Sequence, residues 1–162
     1  MSLKDWLTRF KAQHEQARTG KLSPEGMADY RAGRDELARA LLGAQAAALK
    51  SGEVPRQMLR VARAVQADLE WSVDRVRAVT QEISAGGFSA LLAKAPPTDE
   101  EIKVQLRLPG VDPVSGRAKV VGSAVLPASV RVSFAFQGLG AAERDRLEFA
   151  VFDTVLQNIR VQ

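Results

Sequence analysis

The chain has no cysteine and a single histidine, His14. Disulfide frameworks, thiolate metal sites, cysteine nucleophiles and cysteine-ligated iron–sulfur clusters are therefore excluded, as is any metal site built on several imidazoles. A Ser-His-Asp triad would have to recruit His14 from an amphipathic first helix, where a surface position is the expectation. The phosphate-cradling patterns Gly-x-x-x-x-Gly-Lys-Ser/Thr and Gly-x-Gly-x-x-Gly are also missing. Asp35-Glu36 and Asp99-Glu100-Glu101 read as solvated charge. No catalytic residue, metal or cofactor is assigned, and a binding protein is expected rather than an enzyme. Nowhere do the about 18 uninterrupted apolar residues of a membrane span occur.

What is present is a chain of 162 residues and 17.6 kDa, 46% hydrophobic and 26% charged. That is one folded domain, or one domain with an extension. The opening Met1-Ser2-Leu3-Lys4-Asp5-Trp6 is already charged and unlike an export signal, so a cytoplasmic location is expected. The net charge of +4 is spread thinly, with 9 basic against 7 acidic residues in 1–55, 5 against 4 in 56–93 and 9 against 8 in 94–162. An even spread argues against a nucleic-acid-binding barrel, which needs a concentrated basic surface. The local exception is Arg56, Arg60 and Arg63, with no acid before Asp68.

Residues 1–54 read as a helical hairpin. Leu3, Trp6, Leu7 and Phe10 follow the i, i+3, i+4, i+7 spacing of one buried stripe, and Ser2 is placed to cap it. Gly20 and Lys21 break the pattern. Ser23-Pro24-Glu25 then supplies a cap, a proline at the first helical position and an acid in the first turn. Met27, Tyr30, Leu37, Leu41, Ala44 and Ala48 mark an apolar face running to Leu49, and Ser51-Gly52-Glu53-Val54-Pro55 closes the segment. Trp6, Phe10 and Tyr30 are the expected contacts of the hairpin.

Residues 55–162 carry a different pattern. Ile102, Val104, Leu106 and Leu108 alternate with polar residues, as do Val130, Val132, Phe134 and Phe136, so both runs are half-buried strands. Arg117 to Val125 and Phe88 to Leu92 are further β-rich runs. The segment from Val61 to Trp71 fits two templates, with Met58, Val61, Ala62, Val65 and Leu69 on one helix face but Val65, Ala67, Leu69 and Trp71 in strict alternation. As a helix it would turn Arg56, Arg60 and Arg63 into a solvated basic stripe. Arg75 and Arg77 share a strand face beside Asp74. Beyond Gly138 and Gly140, Leu147, Val151, Val155 and Ile159 recur every four residues, with Phe152 and Leu156 beside them, giving a C-terminal helix. Strands at this spacing followed by one helix predict a small antiparallel β-barrel plugged by that helix.

Two short pieces stand out, Arg56-Gln57-Met58-Leu59-Arg60 and Glu82-Ile83-Ser84-Ala85-Gly86-Gly87. An Arg-x-x-x-Arg followed some twenty residues later by Asp/Asn-x-Ser-x-x-Gly resembles the signature of the PilZ family, small bacterial β-barrel domains that bind cyclic di-GMP. The resemblance runs from about residue 56 to the final helix. It implies a six-stranded antiparallel barrel with a C-terminal helix and makes Val61–Trp71 a strand. It also implies that Arg56, Arg60, Glu82, Ser84 and Gly87 contact cyclic di-GMP, supported by Arg63 and Gly86. The chemistry is apt, because a guanine offers O6 and N7 together to one planar guanidinium. Ser84 supplies a short donor and acceptor, and Gly87 lacks the Cβ that would hold a base away from the backbone. Glu82 departs from the family's Asp or Asn by one methylene.

The resemblance thus implies a second-messenger receptor in the control of motility or surface behaviour, relaying ligand binding to a protein partner through residues 1–50. Its rival is a degenerate PilZ-like adaptor that acts by protein contact without ligand, which Glu82 favours.

Overall fold

The structure, a computed structural model, describes residues 2–47 and 58–159, without the side chains of 45 and 46. Two helices come first, α1 (Leu3–Arg18) and α2 (Pro24–Ala47). They are followed by β1 (Val61–Ala62), β2 (Gln66–Trp71), β3 (Asp74–Ser84), β4 (Gly87–Leu92), β5 (Ile102–Arg107), β6 (Val114–Val125), β7 (Val130–Gln137) and α3 (Ala141–Asn158). The chain divides into two compact units, residues 1–59 with 155–162 and residues 60–154.

In the first unit the helix ends follow from local chemistry. Ser2 is extended at the N-cap of α1, where its hydroxyl accepts from the Asp5 N–H at 3.1 Å, satisfying a donor that the helix itself leaves open. At the other end Gly20 takes φ +72°, allowing its own N–H to reach the Ala17 carbonyl and that of Lys21 to reach Gln16. The Ser23 hydroxyl accepts from Gly26 N–H at 3.0 Å and so caps α2. The hairpin is held by stacked rings, Trp6 on Phe10 at 5.2 Å and Phe10 on Tyr30 at 5.4 Å between centroids.

Three expectations for these helices are corrected. His14 is buried rather than at the surface, with Nδ1 2.5 Å from the Tyr30 hydroxyl. It stands one turn beyond Phe10, continuing the stripe of Leu7 and Phe10, and the tyrosine hydroxyl gives the ring a polar partner inside. The stripe starts later than its spacing implied, since Leu3 is 71% exposed. On α2, among the described side chains, only those of Tyr30 and Arg34 are buried, and Ala44 is exposed. Ala48, Leu49 and the Ser51–Pro55 linker lie outside the described residues.

The second unit is a closed antiparallel barrel. The sheet runs β1-β3-β2-β5-β6-β7-β4, and β4 pairs back to β3, so β2 to β7 form six barrel strands with β1 as a two-residue attachment on β3. Inward positions alternate as expected. Ala67, Leu69, Ile83, Ala90, Ile102, Leu106, Val114, Ala118 and Val132 are fully buried, each large aliphatic side chain contributing about 1.5–3 kcal/mol. Phe88 stacks on Phe134 at 4.7 Å inside this core. Within α3, Leu147, Val151 and Phe152 are buried, and Arg146 Nη1 donates to the Pro113 carbonyl at 3.2 Å.

The run Val61–Trp71 is strand, but broken. Arg63 N–H donates to Gln81 O and Thr80 N–H to Val65 O, while the Thr80 hydroxyl accepts from Val65 N–H at 2.9 Å and donates to Arg63 O at 2.7 Å. One side chain thus replaces ladder bonds where the chain steps from β1 to β2. The β3–β4 register shifts between Thr80 and Glu82, a bulge that puts Ile83 in the core and Glu82 outside it.

On the outer face, Asp68 of β2 accepts from Arg77 Nε at 3.2 Å, Arg107 Nε at 3.1 Å and Gln66 Nε2 at 3.3 Å. Burial alone would push its carboxyl up, but the hydrogen bonds from Arg107, Arg77 and Gln66 outweigh that and hold it below the ordinary aspartate range. A carboxyl lowered in the folded state stabilises the fold above its unfolded value near pH 4. That contribution is lost as pH falls through the depressed value. We expect Asp68→Asn to flatten the acid limb of stability against pH, measured by urea unfolding between about pH 5 and 2. An unchanged acid limb would show that the three bonds carry no linkage.

Candidate functional site

The Glu82–Gly87 piece is the end of β3, a two-residue turn at Ala85 and Gly86, and the start of β4. Ser84 is buried there. Its hydroxyl accepts from Gly86 N–H at 3.2 Å and Gly87 N–H at 3.1 Å and donates to Gly87 O at 3.3 Å. One donor and two acceptor positions are therefore committed to the turn itself. Gly87 is constrained from the other side, because a Cβ built on it would lie 2.0 Å from the Phe134 carbonyl oxygen of β7. The lack of a side chain is required by the β4–β7 ladder, whatever else approaches the turn. Gly86 is half-buried, and its carbonyl accepts from Phe136 N–H at 2.9 Å, carrying the β7 pairing into the turn.

The arginine segment reaches the same place through β1. Val61 pairs with Ile83 and Ala62 with Glu82, and the register extended by one residue sets exposed Arg60 opposite Ser84. Arg63, three residues on, is half-buried, with Nη1 3.5 Å from the Thr154 hydroxyl of α3, which donates to Ala150 O at 2.9 Å. Arg60, Arg63, Glu82, Ser84, Gly86 and Gly87 thus share one end of the barrel. Arg56 lies outside the described residues.

Glu82 is half-buried and pairs across to Ser89 of β4, which in turn pairs with Ser133 of β7. Ser89 is buried, and its hydroxyl has no hydrogen-bond partner among the described residues. Such an orphaned hydroxyl costs about 1–3 kcal/mol unless something satisfies it. Sequence reading missed Ser89, Thr80 and Thr154. The signal for Thr80 was a lone hydroxyl in phase with Val76 and Ala78 on the inward side of β3. Ser89 showed as a polar residue between Phe88 and Ala90. Thr154 offered none, since a threonine on an amphipathic helix is ordinary. No cluster of His, Asp or Glu able to hold a metal occurs among the described residues, and none of their helices is long and apolar enough to cross a membrane.

The family profile described as PilZ domain matches residues 55–153, more than half of the chain. The chain belongs to the PilZ domain family. Among solved structures, its PilZ barrel resembles the Bacillus subtilis inhibitor of motility MotI/DgrA at TM-score 0.60 and 19% identity, covering 67% of this chain and 55% of that one. It also resembles the K. pneumonia MrkH–c-di-GMP complex, at TM-score 0.56 and 17% identity over 65% of this chain and 54% of that one. A third is the PilZ domain of Escherichia coli YcgR with c-di-GMP, at TM-score 0.53 and 15% identity over 64% of this chain and 94% of that one. The chain spans about half the length of MotI/DgrA and of MrkH. A search of curated proteins found no match.

In this PilZ barrel Ser84 and Gly87 hold the β3–β4 hairpin through hydrogen bonds and close packing within the chain. Gly87→Ala should destabilise the protein by about 2 kcal/mol or more, because the clashing atom is backbone and cannot swing away. Ser84→Ala should cost about 1–2 kcal/mol through the turn N–H groups it abandons. Denaturant unfolding of ligand-free protein reads both, and a neutral Gly87→Ala would overturn the close-approach argument.

Proposed function

We propose that the chain is a cyclic di-GMP receptor without catalytic activity, which binds the dinucleotide at the barrel end formed by Arg60, Glu82, Ser84 and Gly87, with Arg56 completing the arginine pair. The observation that carries this reading is the β1–β3 register, Val61 opposite Ile83 and Ala62 opposite Glu82, which extended by one residue sets Arg60 opposite Ser84. A guanidinium beside an acceptor-rich strand end suits a ligand that presents phosphates together with guanine edges. The residues fit. Glu82 offers a carboxylate to guanine N–H donors, and the orphaned Ser89 hydroxyl across the ladder leaves a polar position for a ligand to satisfy. Two of the resembling structures are complexes with c-di-GMP.

Output runs, in this reading, through the N-terminal helices to a protein partner in the cytoplasm. Arg56 follows Ser51–Pro55 directly, so ordering the arginines around a ligand constrains the connection to residues 1–50. A second reading has one observation in its favour. Glu82 replaces the family's shorter acid or amide, and Ser84 and Gly87 are already engaged by the hairpin, which is what a ligand-free PilZ adaptor would retain.

Calorimetry with cyclic di-GMP separates the two. Binding is expected, with Arg56→Ala or Arg60→Ala costing about 2–3 kcal/mol, the scale of a charged hydrogen bond. Absence of heat at hundreds of micromolar ligand, of order 10⁻⁴ M, would favour the adaptor. Glu82→Asp is expected to tighten binding by bringing back the shorter reach with the same charge. An unchanged affinity would mean that position 82 does not touch the base.

A further inference from the structure

A second surface of the barrel lies away from this end. The strand face formed by the outward residues of β3, β2, β5 and β6 lines a groove of about 960 Å³. Five cations line it, Arg75, Arg77, Lys103, Arg107 and Arg117, against two acids, Asp68 and Glu70. Along the chain these charges are scattered over more than forty residues. The ladder gathers them, because each occupies the outward phase of its strand.

Their arrangement is ordered. Arg75 pairs across to Glu70, Glu70 to Lys103, and Lys103 to Arg117, one continuous cross-strand row about 14 Å long. In the neighbouring rows Arg77 sits opposite Asp68 and Arg107 opposite Gln66. The two acids are already spoken for. Asp68 is shared by Arg77 and Arg107, and Glu70 lies 3.3 Å from Arg75, while Glu101 at the rim takes Arg117 at 3.3 Å. Lys103 has no ion pair among the described residues. The arginine side chains remain 78% (Arg75), 72% (Arg77) and 62% (Arg117) exposed, so their existing pairs are weak and exchangeable.

We infer that this face docks an acidic segment of a partner protein. The four arginines present planar forks suited to carboxylates or phosphates alike, and two features select the carboxylates. None of the lining residues is aromatic, so nucleobases find no stacking platform. Asp68 and Glu70 stand in the middle of the face and oppose an unbroken line of phosphates. A protein segment places its charges discretely instead. Carboxylates one helical turn apart recur every about 5.4 Å, near the about 4.8 Å between strands, and can meet the cations while leaving gaps over the two acids. The strands here are fully paired within the barrel, so the contact is made by side chains and not by adding a strand.

This face is separate from the ligand end. Arg77 and Glu82 are five residues apart on β3, about 16 Å. The inference therefore stands whether or not cyclic di-GMP binds.

The test is fluorescence anisotropy with the full chain and a labelled peptide of roughly 20 residues carrying glutamate at every fourth position, sized to cover the face. Binding is expected, weakening steeply as salt rises from about 50 to 300 mM. Arg75→Glu with Lys103→Glu should weaken it by about ten-fold or more. Lys94→Glu with Arg131→Glu makes the same charge change on exposed barrel positions after β4 and on β7, outside this face, and should leave it within about two-fold. Thermal unfolding checks that both variants stay folded, and if the first does not, Lys103→Gln alone should still weaken binding while Lys94→Gln does not. No binding by wild type, equal loss in both double variants, or tighter binding of a DNA oligonucleotide or of phosphatidylserine vesicles through the same residues would overturn the assignment.

Discussion

Closure of the barrel depends on one close approach. β4 must pair with β3 on one side and β7 on the other, and at Gly87 the β7 backbone comes so near that the Phe134 carbonyl occupies the space of a Cβ. The Ser84 hydroxyl fixes the same turn from the β3 side. If this hairpin opened, β4 would lose both ladders and Phe88 its stacking on Phe134, so the aromatic part of the core depends on a residue that has no side chain. The candidate site stands on this junction, since β1, with Arg60 just before it, pairs with the adjoining end of β3.

Most of the architecture could be read from alternation and turn chemistry. The strands at Ile102–Arg107 and Val130–Gln137, the capped helices and the C-terminal helix were all visible, because periods of 2 and 3.6 are written by burial itself. The break in Val61–Trp71 was not. It arises from the Thr80 hydroxyl bonding to Arg63 and Val65, a contact across some fifteen residues that no local pattern encodes. His14 was misplaced for a related reason, since its burial depends on a tyrosine hydroxyl sixteen residues away.

The candidate site residues came from the family resemblance, and their local mechanics were not legible in the sequence. The family resemblance pointed to Arg60, Ser84 and Gly87, and the β1–β3 register, extended by one residue, sets Arg60 opposite Ser84. The orphaned hydroxyl of Ser89 and the step at Thr80 were silent, because a serine within a strand and a threonine in its inward row are common in barrels of every kind. The basic outer face was silent too, although its residues were all in view. Sequence arithmetic counts charge along the chain, whereas strand pairing sums it across the sheet.

The commitments of Ser84 and Gly87 bear on how the family signature drifts over time. Folding by itself suffices to guard both residues, so a lineage that abandoned its ligand would still carry them, and their presence in a chain says little about whether it senses anything. Arg60 has no such protection, being exposed just before a two-residue strand, and Glu82 is only half-buried. In related chains, these two positions are free to change as soon as selection for binding is relaxed. Loss of sensing should therefore be written first at the arginine and the acid, with the serine and glycine persisting as a record of the barrel.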